Sequence, residues 1–372
     1  MRKKATALLL CLAMVMGSLA GCQSGAQGKT TTAETTKAAE ATQAEETTEA
    51  AETTEAAPQE ITVTDMAGRE VTIPAKVNSI ATFGAIGVIN AFVELMGEGS
   101  KISNNMSARF TKGNQWALQY EFAPQIAECP VFEDESGEIL MEEVLKASPD
   151  LCLCMSKSIA ETLEAQGLTV VMLSWSELDD VKECIALLGK VLRKEDIAED
   201  YLAYFDATVK KAENLTKDLN EDEKKAVLYG NISSLSQPHI IAEWWISEAG
   251  GISVTDNGRT EESYTYTAED LLAWNPDVMI VNSAKVKEET LANELYADVP
   301  AVADGEVYVI PTVAHVWGNR TVEQPLTILW TMNKLYPDIM TDEMLAKEIS
   351  YFYEHFFLTT LTEEQIAAII AG

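Results

Sequence analysis

Histidine is scarce in this chain of 372 residues; His239, His315 and His355 are the whole complement. Imidazole ligates iron, cobalt or zinc directly, or hydrogen-bonds the oxygens of a chelated metal. His315 opens the phrase His315-Val316-Trp317-Gly318-Asn319-Arg320, which sets an imidazole, an indole and a guanidinium within six residues. An indole can wall a flat or hydrophobic ligand, and Arg320 can neutralise a carboxylate or phenolate. His239 is followed by Trp244 and Trp245. Adjacent residues on a helix face different ways, so at least one of that pair belongs to the core. Phe83, Trp175 and, more weakly, Arg109 are candidates from the other half of the chain. His355 stands in an amphipathic terminal helix and reads as packing or solvent-facing.

No residue reads as catalytic. The sequence has no G-x-S-x-G, no H-E-x-x-H and no phosphate-cradling glycine loop, and so few histidines limit acid–base chemistry. Of six cysteines, Cys11 lies in an apolar leader and Cys22 closes it, which leaves Cys129, Cys152, Cys154 and Cys184. Cys152 and Cys154 are two apart in a strand-like run and share one face, as small core residues would. They could also form half of a metal site, but no second CxC or CxxC completes it. A net charge of −32 argues against nucleic acid and against electrostatic docking on anionic lipid.

The elements that must position these residues are organised by a repeat. Met141 to Ser156, MEEVLKASPDLCLCMS, recurs as AEDLLAWNPDVMIVNS from Ala268 to Ser283, at a constant offset of 127. Glu142/Glu269, Leu145/Leu272, Pro149/Pro276, Asp150/Asp277 and Ser156/Ser283 match identically. Each copy reads as a short amphipathic helix, a Pro-Asp break and a continuous apolar run. Proline cannot continue the helix, and the run suits a strand buried on both faces. The repeat therefore predicts two similar α/β lobes.

Around the repeat the chain divides in order. Residues 1–22 form a basic, apolar leader ending Leu19-Ala20-Gly21-Cys22, and 23–59 a Thr/Glu/Ala tether with nothing to bury. Residues 60–177 form the first lobe, opening with a β-hairpin around Ala67-Gly68. A helical stretch over 178–222 keeps apolar spacing from Leu188 to Leu215 and reads as a rigid strut. Residues 223–340 form the second lobe, and 341–372 add terminal helices. Ligands of open α/β sheets meet the loops beyond the strand ends. These are Phe83 and Gly84, Met155 to Lys157, Trp175, Asn231 to His239, Asn282 to Lys285 and Thr312 to Arg320.

From about Glu60 to Gly372 the chain resembles the substrate-binding lipoproteins of ABC importers, in the iron-siderophore, haem and cobalamin family. The paired E-x-x-L-x-x-x-P-D segments carry the resemblance, with WGNRTVEQPLTILWTMNKLYPD (Trp317 to Asp338), LTEEQIAAIIAG and TVTDMAGREVTIP. It implies a class III periplasmic-binding-protein fold: two Rossmann-like lobes with parallel sheets, one long joining α-helix and a cleft between the lobes. It implies no resident cofactor, a monomer, and a transported metal chelate, most naturally a ferric siderophore or other iron complex. Haem or a corrinoid, a bare metal ion held by His239 and His315, and a surface-sensor role are the alternatives. The resemblance further implies lipidation at Cys22 on the outer face of the bacterial cytoplasmic membrane. Its partners would be a permease and its ATPase, met by Glu142 and Glu269, each seven residues before the repeated proline.

Overall fold

Each copy of the repeat builds one lobe edge by the same local chemistry. In the computed structural model, which describes residues 59–111, 116–175 and 178–372, Met141–Ala147 and Ala268–Trp274 are helices. Leu151–Cys154 and Val278–Val281 are the strands that come after them. Between them Ser148 and Asn275, again 127 apart, end their helices in the left-handed conformation (φ 49° and 48°). The proline then blocks any return to helix. Asp150 and Asp277 are equivalent clamps on the approach to the neighbouring strand. Asp150 Oδ2 accepts from the amides of Asn78 and Ser79 at 2.8 and 3.2 Å, and Asp277 Oδ2 from Ala226 at 2.8 Å. The leader, Cys22 and the tether up to residue 58 lie outside the described residues.

In the first lobe β1 (Ile61–Thr64) and β2 (Glu70–Ile73) form the antiparallel hairpin. Then β3 (Ile80–Phe83), β4 (Leu151–Cys154) and β5 (Val170–Met172) make a parallel sheet in that order. Its helices are α1 (Ile86–Leu95), α2 (Ala108–Thr111), α3 (Gln119–Phe122), α4 (Met141–Ala147) and α5 (Lys157–Glu164). Every residue of β3 and β4 is buried, which explains runs without polar alternation.

The expected strut is two helices, α6 (Leu178–Leu192) and α7 (Glu195–Thr216), broken at Arg193 with φ 58°. They pack closely enough that a Cβ on Gly189 would meet the Ala198 Cβ at 2.7 Å. The second lobe contains β6 (Ala226–Gly230), β7 (Ser236–Gln237), α8 (Ile241–Glu248), β8 (Ile252–Ser253) and β9 (Tyr264–Thr265). Next come α9 (Ala268–Trp274), β10 (Val278–Val281), α10 (Ala284–Leu291), α11 (Pro300–Ala303) and β11 (Val307–Val309). Its parallel sheet has the order β11-β10-β6-β8. The chain finishes with α12 (Gln324–Leu335), α13 (Asp342–Phe356) and α14 (Glu363–Ala371).

One continuous buried cluster runs from the first lobe through α6 and α7 to α12 and α13 of the second. Within it the Tyr201 hydroxyl on α7 donates to the Val322 carbonyl at 2.7 Å. Cys152 and Cys154 are buried on one face of β4, and burial pushes their thiols up to about 12 and about 11. All four described cysteines are unpaired.

Candidate functional site

The first sheet aims its carboxyl ends at one cavity of about 420 Å³. Ala85 lies beyond β3, Met155 beyond β4 and Trp175 beyond β5, and all three line it together with Val88 of α1. The opposite wall belongs to the second lobe: His239, Glu262, His315, Asn319 and Arg320. One lobe therefore supplies apolar and soft groups, and the other supplies the charge.

Arg320 is buried, with 8% of its side chain exposed. Its two terminal nitrogens donate to Glu262 Oε1 at 2.7 Å and Oε2 at 2.9 Å, a bidentate fork. His239 Nδ1 lies 2.9 Å from Glu262 Oε1. A carboxylate only accepts, so Nδ1 carries the proton and a neutral His239 keeps its lone pair on Nε2. Burial raises the Glu262 carboxyl, but the hydrogen bonds from Arg320 and His239 outweigh it and hold the group below the usual range. The loop bearing Glu262 is pinned from beneath. Arg259 Nη2 donates to Glu243 Oε1 of α8 at 2.8 Å, and its Nη1 to the Glu261 carbonyl at 2.6 Å.

His315 sits on a loop tied down by the start of α12. Glu323 accepts from the amides of Ala314 (2.9 Å) and His315 (2.7 Å), and from the Tyr353 hydroxyl. Thr327 Oγ1 donates to the Trp317 carbonyl at 2.9 Å, and Gln324 Nε2 to the carbonyls of Trp317 and Asn319. Burial drives the His315 ring down to about 4, so it is neutral at physiological pH. Its Nδ1 lies 3.3 Å from the Val316 carbonyl, which again leaves Nε2 unprotonated. Trp116 of the first lobe packs on this ring at 5.0 Å, and Gln119 Nε2 bridges the carbonyls of Gly87 and Ala314 across the lobes.

Thus His239, His315, Arg320 and Trp175 come together, and four other candidates stand elsewhere. Trp317 is fully buried and plugs the core, because its loop tracks the Tyr229 ring so closely that a Cβ on Gly318 would meet that hydroxyl at 2.1 Å. Phe83 is a buried strand residue stacked on Phe132. Trp244 stacks on Phe205 of α7, while its neighbour Trp245 is core. Arg109 donates to the Gly84 carbonyl at 2.8 Å and lies beside Glu133 at 3.8 Å, and it does not line the cavity. Trp175 is set by stacking on Phe92 at 4.8 Å.

Glu262 is outside every loop singled out in the sequence, and only the need of Arg320 for a counter-ion could have pointed to it. Asn282 to Ala284, which the strand-end rule selects, line a different and larger cavity of about 630 Å³ beside α14. That one is walled mainly by apolar side chains such as Leu118, Ile310 and Ile369, and no cationic side chain is among the described residues that line it. Among the described residues no group of three or more His, Cys, Asp or Glu side chains is arranged to hold a metal ion. No helix among them is long and apolar enough to cross a membrane.

Glu142 and Glu269 are exposed in the first turns of α4 and α9. One turn further on, Leu145 and Leu272 are 44% and 39% exposed, unusual for leucines in a folded lobe.

Two parallel α/β lobes with a charged cavity at their strand ends define a two-lobed solute-binding protein of the class III type. The sequence model of the periplasmic binding protein family matches residues 103–314, more than half of the chain, and the protein belongs to that family. Its members are extracytoplasmic binding proteins of ABC importers, and they carry a transported ligand rather than a resident cofactor. The chain is 20% identical over 342 residues to the molybdate-binding protein MolA of Haemophilus influenzae, covering 82% of this chain and 93% of MolA. The solved structure of MolA bound to molybdate is similar with a TM-score of 0.70, over 81% of this chain and 99% of that one. A periplasmic solute binding protein from Veillonella parvula is similar at 0.71, 23% identical, over 83% of this chain and 96% of that one. Helicobacter pylori CeuE with Ni(II) bound is similar at 0.64, 17% identical, over 83% and 99%.

Proposed function

We propose that this protein captures a compact, anionic metal complex outside the cytoplasmic membrane and delivers it to an ABC permease. A ferric chelate with exposed carboxylate or phenolate oxygens is the leading cargo. The observation that carries the reading is the Arg320 fork, buried and facing a cavity that also holds two imidazoles, each with Nδ1 turned toward a protein oxygen. The fork suits an oxygen anion, and the imidazoles can accept hydrogen bonds from the complex or ligate its metal. A cavity of about 420 Å³ falls at the small end for ligand sites and favours a compact complex over a haem or corrinoid. An oxyanion of the metal itself is the second reading, favoured by the same fork and by the likeness to MolA. A bare cation suits the cavity less, since an arginine is its most buried charge.

Cys22 would carry the lipid that holds the body at the membrane. Glu142 and Glu269, duplicated by the repeat and exposed on both lobes, would meet arginines of the permease. The test is a titration of the full chain by tryptophan quenching, since Trp175 lines the cavity. Ferric hydroxamate, catecholate and citrate chelates, haem, cobalamin, nickel–histidine and molybdate would be compared. Saturable quenching by an anionic complex, abolished in Arg320→Met, is expected. Quenching that survives that substitution, or occurs only with uncharged complexes, would overturn the reading.

A further inference from the structure

We propose that Glu262 is a displaceable internal counter-ion, which occupies the Arg320 fork until an oxygen anion of the ligand takes its place. The inference rests on the reading of this cavity as the ligand site. It assigns a specificity role to a residue that neither the sequence motifs nor the repeat singled out.

Two Arg–Glu pairs bear on this wall, one in it and one supporting its loop, and they differ in how firmly each carboxylate is held. In the inner pair both partners are buried, Arg259 with 4% and Glu243 with 12% of the side chain exposed. Glu243 Oε1 also accepts from Thr255 Oγ1 at 2.9 Å and Gln237 Nε2 at 3.2 Å, so it is fixed on several sides. The outer pair is asymmetric: Arg320 is 8% exposed and Glu262 is 47% exposed. The arginine cannot leave, whereas the carboxylate can turn into water at little desolvation cost. Through Arg259 and the Glu261 carbonyl, the inner pair anchors the Glu262 backbone while its side chain swings.

The geometry of the contact is that of a ligand. Both carboxylate oxygens engage both terminal nitrogens, at 2.7 and 2.9 Å, and His239 donates to one of them. A ligand carboxylate, phenolate pair or metal oxyanion would make the same three hydrogen bonds. Arg320 Nε is buried without a hydrogen-bond partner, so Glu262 leaves the guanidinium incompletely satisfied. The exchange selects by charge. A neutral complex must leave Glu262 in place or uncover Arg320, and a weakly basic anion competes poorly with a carboxylate already held in a fork.

The test is calorimetric titration of molybdate, with sulfate in parallel, into the full chain at fixed ionic strength. The parent is compared with Glu262→Gln, Glu262→Asp, Arg320→Met and the double variant Glu262→Gln/Arg320→Met, each checked for folding by circular dichroism. Glu262→Gln is expected to bind molybdate on the order of tenfold more tightly than the parent, because the competing charge is gone. Glu262→Asp, whose shorter carboxylate keeps the charge but not the span, should fall between them and carries the test if the glutamine variant misfolds. In the Arg320→Met background the gain should vanish. Equal or weaker binding by both Glu262 variants would overturn the proposal. A gain that persists without Arg320 would overturn it too, since general electrostatics would then account for it. Binding by the parent that Glu262 variants leave unchanged removes this inference alone. No oxyanion binding by any variant removes the anion-site reading with it.

Discussion

His315 offers the most direct physical test of the cavity, because its neutrality is a statement about stability as well as about chemistry. Burial lowers the ring from its ordinary 6.5 to about 4. Between those values the unfolded chain binds a proton that the folded chain refuses, so stability rises with pH across the interval. The contribution is fully present above pH 6.5 and is lost as pH falls toward 4. Its size is set by the gap, and with a discount for the ring's residual exposure it is about 2–3 kcal/mol. His315→Gln removes the titration and keeps a polar side chain of similar size. Urea unfolding of the parent and variant at pH 7.5, 6.5, 5.5 and 4.5, monitored by circular dichroism, isolates the effect. Groups that do not interact with His315 cancel in the difference. The parent should lose about 2–3 kcal/mol more than the variant over this range. Parallel profiles would mean that the ring protonates as it does in water, and the claim that burial keeps it neutral would fail with them.

Arg320→Ala should weaken binding of an anionic chelate by about 2–5 kcal/mol, since it leaves a desolvated anion unpaired. His315→Ala should cost less, about 1–3 kcal/mol, and calorimetry that reverses the order would point to ligation of the metal by imidazole. Glu142→Ala with Glu269→Ala should abolish uptake in cells while leaving ligand affinity within about twofold; Leu145→Ser with Leu272→Ser should weaken uptake in the same direction, and normal uptake in both would remove the docking role. Glu94→Met should stabilise the fold by about 1–3 kcal/mol at pH 7, because both Glu94 oxygens are buried without a partner. Burial, then the nearby Glu323, raises the Glu94 carboxyl well above its usual range, so its cost grows as pH rises past the unfolded value and the gain should shrink at pH 4.5 in urea melts.

The fold was legible where a residue type leaves the backbone no choice. Pro149 and Pro276 stop helices, and Asp150 and Asp277 recur because each clamps the amide start of the neighbouring strand in its sheet. Buried parallel strands announce themselves as unbroken apolar runs. The break in the strut left no such mark. Arg193 is neither glycine nor proline, and the apolar spacing runs straight through it from Leu188 to Tyr201. A left-handed arginine costs only about 1–2 kcal/mol, which the packing of α6 on α7 can offset. The site was legible by residue type and not by direction. His315, Trp317 and Arg320 are neighbours in sequence, yet the loop sends the indole into the core and the other two into the cavity. Glu262 is 58 residues from its partner and lies in a loop that composition marks only as polar.

The division of labour across the cavity stems from these placements and bears on how the lobes act together. Every charged group in the wall comes from the second lobe, while Ala85, Val88, Met155 and Trp175 face it from the first. An Arg–anion pair in water is worth little, and the same pair behind an apolar cover is worth several times more, because the effective dielectric falls. Under the reading proposed above, the first lobe would contribute to affinity without making a single charged contact, by keeping water from the Arg320 fork. Met155 and Trp175 are the side chains through which it would do so. The two lobes share the repeated helix–strand unit, and their difference in cavity chemistry lies in the loops at their strand ends. Beyond β3, β4 and β5 stand alanine, methionine and tryptophan, whereas the polar groups occupy the loops around β7, β9 and β11. With the same helix–strand frame in both lobes, the strand-end loops would make the second lobe the binder and the first its cover under the proposed reading.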